Sequence, residues 1–135
     1  MANMTLKIGG EVYEFKAGHA FLRDISKRRI IKDKDITREL GLETTVAEMI
    51  DGDVETLETV LLTMNKGFEP RLTAKELESY IEDECEDISG LFDQVLDFLL
   101  KANCTSLKIR KAIQNAVASG NIQKEVLPEA LQKIL

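Results

Sequence analysis

The chain holds one histidine, two cysteines, two prolines and no tryptophan in 135 residues. Each scarcity removes a class of function. His19, Cys85 and Cys104 cannot complete a tetrahedral zinc site without carboxylates, and no CxxC pair is present. The two isolated cysteines fit a reduced chain, with a single bridge left open. A Cys–His nucleophile needs His19 beside Cys85 or Cys104, and no spacing brings them together. Gly9-Gly10 lacks the following helix and lysine of a phosphate-binding loop. Asp51-Gly52-Asp53-Val54-Glu55 has glycine second and Leu62 twelfth, where a calcium loop needs glycine sixth and glutamate twelfth. No stretch reaches the ~18 apolar residues of a membrane span, and Met1–Gly10 lacks a signal-peptide pattern. The net charge of −6 argues against a nonspecific binder of phosphate backbones. The sequence therefore predicts no catalytic residue, metal or cofactor, and neither nucleic acid nor membrane as a partner.

What is present is ordinary globular material, 44% hydrophobic and 31% charged. Aromatics are only 5%, while Leu, Ile, Glu and Lys abound, which favours helix over an all-β sandwich. The prediction is an α+β fold, predominantly helical, with an N-terminal β-hairpin on a bundle of about five to seven helices. The hairpin pairs Thr5–Ile8 with Glu11–Phe15 around Gly9-Gly10, a two-residue loop suited to a type I′ turn. That register sets Leu6 opposite Tyr13 and Ile8 opposite Glu11. Met4, Leu6, Ile8, Tyr13 and Phe15 then share the face that must pack on helices.

Helical spacing follows. Phe21, Leu22 and Ile25 form one stripe in a helix from Gly18 to about Arg29, with His19 at its start. The charged run Arg28–Asp35 lacks a clear period and reads as a loop or mobile excursion. Leu42, Val46, Met49 and Ile50 share a helix face, with Thr45 and Glu48 as a capping box. Asp53 caps a helix through Lys66 bearing Val54, Leu57, Val60, Leu61 and Met64, and Gly67 follows it. Thr73 and Glu76 form a second capping box, opening a helix with Leu77, Tyr80 and Ile81. The broadest apolar helix carries Ile88, Leu91, Phe92, Val95, Leu96, Phe98 and Leu99 and is the expected central element. Ser106 caps a further helix with Leu107, Ile109, Ile113, Ala116 and Val117, stopped by Gly120-Asn121. The predicted core comprises Leu6, Tyr13, Phe15, Phe21, Leu22, Leu57, Leu61, Leu91, Phe92, Val95, Leu96 and Leu99.

Charge is divided along the chain. Residues 23–38 hold seven basic and three acidic side chains, residues 39–99 three and seventeen, and residues 100–135 six and two. Solvated helix faces of differing sign account for this; so does head-to-tail association of neighbouring copies. In the second reading Arg28, Arg29 and Lys32 meet Glu82, Asp83, Glu84, Glu86 and Asp87 of another copy. The same acidic run also reads as a solvated helix junction whose carboxylates favour the next helix N-terminus.

The order of elements carries a resemblance. The hairpin Thr5–Phe15, the helix with Phe21-Leu22-Arg23-Asp24-Ile25, the Leu42–Gly67 pair, Pro70-Arg71-Leu72-Thr73 and the segment Leu91–Asn103 together resemble the tail assembly chaperones of long-tailed phages and prophages of Gram-positive bacteria. The likeness covers about residues 4–118 and rests on no catalytic signature. It implies a non-enzymatic protein that binds the tape measure protein, keeps its hydrophobic helices soluble and helps recruit tail tube subunits. It also implies action in the host cytoplasm and absence from the mature virion; the expectation of self-association comes from the charge division. The chain divides into an assembly chaperone domain over residues 1–120 and an amphipathic tail over 121–135, which also reads as part of the same domain. Ile122, Val126, Leu127, Leu131, Ile134 and Leu135 in that tail are either a movable segment for the partner or the last core helix. An acidic helical adaptor or regulator that binds a host protein is the alternative function.

Overall fold

The computed structural model describes residues 3–135 and opens on the expected hairpin. Strands β1 (Met4–Ile8) and β2 (Glu11–Phe15) pair antiparallel, with Leu6 opposite Tyr13 and Ile8 opposite Glu11. Gly9 and Gly10 both take positive φ, 58° and 83°, the backbone that a type I′ turn demands. Met4, Ile8, Tyr13 and Phe15 are buried and Leu6 partly so, while Val12 on the other face is exposed. The sheet leans on α3 (Val54–Asn65), where Lys16 N–H donates to the Met64 carbonyl at 3.0 Å.

Seven α-helices complete the fold of the described residues. These are α1 (His19–Ser26), α2 (Gly41–Ile50), α3, α4 (Ala74–Ser79), α5 (Ile88–Lys101), α6 (Ser106–Ala118) and α7 (Glu129–Gln132). A π-helical turn, Tyr80–Glu84, extends α4, and a 3-10 turn, Lys124–Val126, precedes α7. Helix α5 is the central element and packs against α2, α6 and α7. Leu91, Phe92, Val95, Leu96 and Leu99 are buried along it. Of the predicted core, Leu6 and Leu22 are only partly buried and the others are fully so.

Caps explain several boundaries. Asp53 accepts from Thr56 N–H at 3.1 Å, and Thr73 with Glu76 makes the reciprocal capping box. Asp87 accepts from Gly90 N–H at 2.9 Å, so the last carboxylate of the acidic run starts α5.

Four expectations are corrected. Residues 28–35 are not simply a loop: β3 (Ile30–Asp33) and β4 (Ile36–Glu39) form a second antiparallel hairpin. Its turn has no glycine, and Lys34 takes φ of 54° there, so the usual turn signal is missing. Thr45 and Glu48 do not cap α2, which begins four residues before Thr45, at Gly41. Thr45 is buried mid-helix, and both side chains hold Arg28 instead. Thr105, not Ser106, occupies the cap position of α6; its hydroxyl turns back to the Leu99 carbonyl. Val54 and Leu107 lie outside the buried stripes, 38% and 64% exposed.

Gly41 explains how the second hairpin joins the bundle. A Cβ at this position would lie 1.8 Å from the Ile25 carbonyl oxygen and 2.6 Å from that of Ser26. Only glycine lets the start of α2 touch the end of α1 so closely. Arg28 anchors the hairpin's other leg through Thr45 at 2.6 Å and Glu48 at 3.2 Å, and Thr56 donates to Glu48 at 3.0 Å.

Candidate partner-binding groove

The sequence directs attention to the C-terminal tail, and the structure divides it. Leu127 and Leu131 are buried, 4% and 0% exposed, within the same cluster as the rest of the core. Helix α7 has four residues, too few to be stable alone. Each anchor contributes about 1.5–3 kcal/mol on full burial, so two leucines rather than helix propensity hold the tail. Gln114 also donates to the Ile134 carbonyl at 2.7 Å, and Gln132 to that of Leu127 at 2.9 Å. Ile122 and Ile134 are half-buried; Val126 and Leu135 face outward, 62% and 44% exposed.

Val126 is one lip of a groove of about 430 Å³ whose lining mixes apolar side chains with polar groups. Met49, Phe92, Leu96 and Leu127 form its floor, and all four are buried. Its other lips are Val54 and Ile88, 38% and 37% exposed. Both are the first residues of capped helices, after Asp53 and Asp87. A first-turn side chain is less constrained to face the core than one in mid-helix, and here the pair turns toward the opening. Ser89 and Asp93, one turn apart on α5, supply polar groups beside it. The groove therefore offers an apolar floor, three apolar lips and an acidic edge, which suits an amphipathic helix better than a small polar ligand.

The acidic segments carry little internal compensation. Burial raises the Glu58 carboxyl above the usual range, and repulsion from Glu78, Glu55 and Glu82 adds to it. Five ion pairs bridge basic and acidic side chains among the described residues, including Lys66–Asp24 at 2.9 Å and Lys108–Glu43 at 3.9 Å. The Lys66 hydrogen bond and charge hold Asp24 below its ordinary value.

The predicted self-association residues fall in different settings. Arg28 is not free in an exposed loop, since Thr45 and Glu48 already engage it. Arg29 and Lys32 are exposed. Glu82, Asp83 and Glu86 are exposed in or beside the π-helical turn; Glu84 accepts from Gly9 N–H at 3.3 Å and Asp87 is the α5 cap.

His19 is exposed at the start of α1, and Cys85 and Cys104 are half-buried free thiols. No group of three or more His, Cys, Asp or Glu residues is arranged to hold a metal among the described residues. No helix among them is long and apolar enough to cross a membrane.

Of the groove residues, Val126 and Leu127 belong to the tail that the sequence offered for the partner, whereas Met49, Val54, Ile88, Phe92 and Leu96 were visible only as core stripes. Val54 and Ile88 each follow a capping aspartate, and that position was the available signal that they need not be buried. Comparison with known families matches residues 5–114 to a model described as "Phage tail assembly chaperone protein, TAC". No curated protein and no solved structure matches the chain.

Proposed function

Since the chain belongs to the phage tail assembly chaperone family, we propose that it binds the tape measure protein, keeps it soluble and helps recruit tail tube subunits. The family match over residues 5–114 carries this reading. The groove between α2, α3, α5 and the tail supports it with a place for one amphipathic helix of the tape measure protein. Apolar side chains at i, i+3 or i+4, and i+7 of that helix would cover Phe92 and Leu96 and meet the lips Val54, Ile88 and Val126. Basic residues beside the apolar stripe would face the acidic edge at Asp93 and the strongly acidic segment 39–99. The protein acts in the host cytoplasm and leaves before the tail is complete.

Co-expression tests the proposal. The chaperone raises the soluble yield of a tape measure fragment, and Val54→Glu/Ile88→Glu removes that gain while the helical circular dichroism is unchanged. Equal soluble yields with and without the chaperone would sink the reading. Full rescue by the double variant would move the site away from the groove.

A further inference from the structure

The second hairpin stands apart from the core. All eight residues of β3 and β4 are exposed, including Ile30 at 47%, Ile31 at 37% and Ile36 at 63%. No third strand pairs with it among the described residues. A two-stranded hairpin is marginal in water, and free edges offer unpaired backbone groups to another strand.

The register shows which groups are free. Ile30 lies opposite Glu39, Ile31 opposite Arg38, Lys32 opposite Thr37 and Asp33 opposite Ile36. Leu40 N–H donates to the Arg29 carbonyl at 2.7 Å, so 29/40 is a hydrogen-bonded pair. By alternation 31/38 and 33/36 are hydrogen-bonded too. Ile30 and Lys32 therefore turn their N–H and C=O groups outward along the β3 edge.

We propose that this edge pairs with the same edge of a second copy, antiparallel, with Ile31 on the two-fold axis. Ile31 then meets Ile31 of the other copy, Ile30 meets Lys32, and Arg29 meets Asp33. The outward groups of Ile30 and Lys32 exchange hydrogen bonds as narrow pairs, giving a four-stranded sheet. The charges choose this register. Centring on Lys32 opposes two lysines, and centring on Ile30 opposes Lys32 to Arg28. On the β4 edge, centring on Thr37 opposes Asp35 to Glu39, and centring on Arg38 opposes two arginines. The Ile31 register alone combines an apolar pair at the axis with opposite charges at both ends. Four-residue strands bury far less than the ~1,200 Å² of a stable interface, so the dimer is weak.

Disulfide trapping of the full chain detects such a dimer. Cys85 and Cys104 are first changed to serine, and cysteine then replaces Ile31 or, as a comparison on the same hairpin, Thr37. In the proposed register the two Ile31 positions form a non-hydrogen-bonded pair about 4.5 Å apart between Cα atoms, within disulfide reach. The expected result is dimer trapping at least tenfold faster for Ile31→Cys than for Thr37→Cys. Adding Arg29→Asp slows trapping to the Thr37→Cys rate, and adding Asp33→Arg to that variant restores it. Equal rates at the two positions overturn the proposal. So does an Arg29→Asp variant that traps as fast as its parent, or a charge swap that fails to restore trapping while helical circular dichroism is intact. Trapping of Ile31→Cys to a different protein's strand in place of its own copy also overturns it.

Discussion

The phenol of Tyr13 donates to the carboxylate of Glu76 at 3.0 Å, joining the first hairpin to the start of α4. Glu76 serves two structures at once, since it also completes the capping box with Thr73. Hydrogen bonds from Thr73 and then Tyr13 hold its carboxyl below the usual glutamate range. Burial, and then the bond to Glu76, pushes the Tyr13 phenol above its ordinary value.

These shifts set a pH dependence. The Glu76 contribution is present above the unfolded carboxylate value, about pH 4.3, and is lost as pH falls through the lower folded one. The Tyr13 contribution is present below about pH 10 and is lost as pH rises through the higher folded value. Urea melts across pH should therefore show Tyr13→Phe less stable than the parent at neutral pH. The two curves converge in acid and again in strong base. A constant gap throughout would mean that packing, not the hydrogen bond, sets the difference.

Gly41→Ala should destabilise by about 2–3 kcal/mol or prevent folding, because its Cβ would strike backbone oxygens rather than a flexible side chain. Thermal or urea unfolding measures it, with Ser106→Ala as a comparison. Ser106 accepts only an i,i+4 hydrogen bond from Arg110 Nε at 3.1 Å, so its loss should cost less than about 0.5 kcal/mol.

Glu58→Gln should stabilise the protein at pH 7. The carboxyl is desolvated beside Glu78, Glu55 and Glu82, and its raised value means that ionisation works against the fold as pH rises. The group is only half-buried, so solvent screening limits the gain to about 0.5 kcal/mol. The gain should shrink in high salt, where the parent's repulsion is already screened. A destabilised Glu58→Gln variant at low salt would contradict the repulsion.

The tail separates stability from binding. Leu131→Ala removes a fully buried side chain and should cost about 2–5 kcal/mol in urea melts. Val126→Ser alters an exposed lip of the groove and should change stability by less than about 0.5 kcal/mol. It should nevertheless weaken capture of a tape measure fragment in a pull-down. Unchanged capture would remove Val126 from the interface.

His19, Cys85 and Cys104 should be replaceable together without loss of partner binding. His19 is exposed, and the two thiols form no disulfide. A pull-down on the triple variant, with circular dichroism to verify folding, checks this. Selective loss of an activity in a folded triple variant would contradict the non-enzymatic reading.

Features that depend on neighbours along the chain could be read directly from the residues. Gly9-Gly10 set the first hairpin's register, Asp53 and Thr73 announced helix starts, and the spacing of Leu91 to Leu99 marked the central helix. Each is a local rule of backbone geometry or side-chain period, so each was legible. Contacts between segments distant along the chain set the rest. Thr45 and Glu48 had the spacing of a capping box, but Arg28, far off in sequence, claimed both. Asn65, fully buried, accepts from Leu72 N–H at 2.7 Å and donates to the Glu14 carbonyl at 3.0 Å, joining segments that no periodicity links. Val54 and Ile88 carried apolar patterns yet became groove lips, because the packing of α2, α3, α5 and the tail leaves their side unfilled. A pattern of apolar residues states which face seeks cover; only the three-dimensional arrangement of the other elements settles whether that cover comes from within the chain.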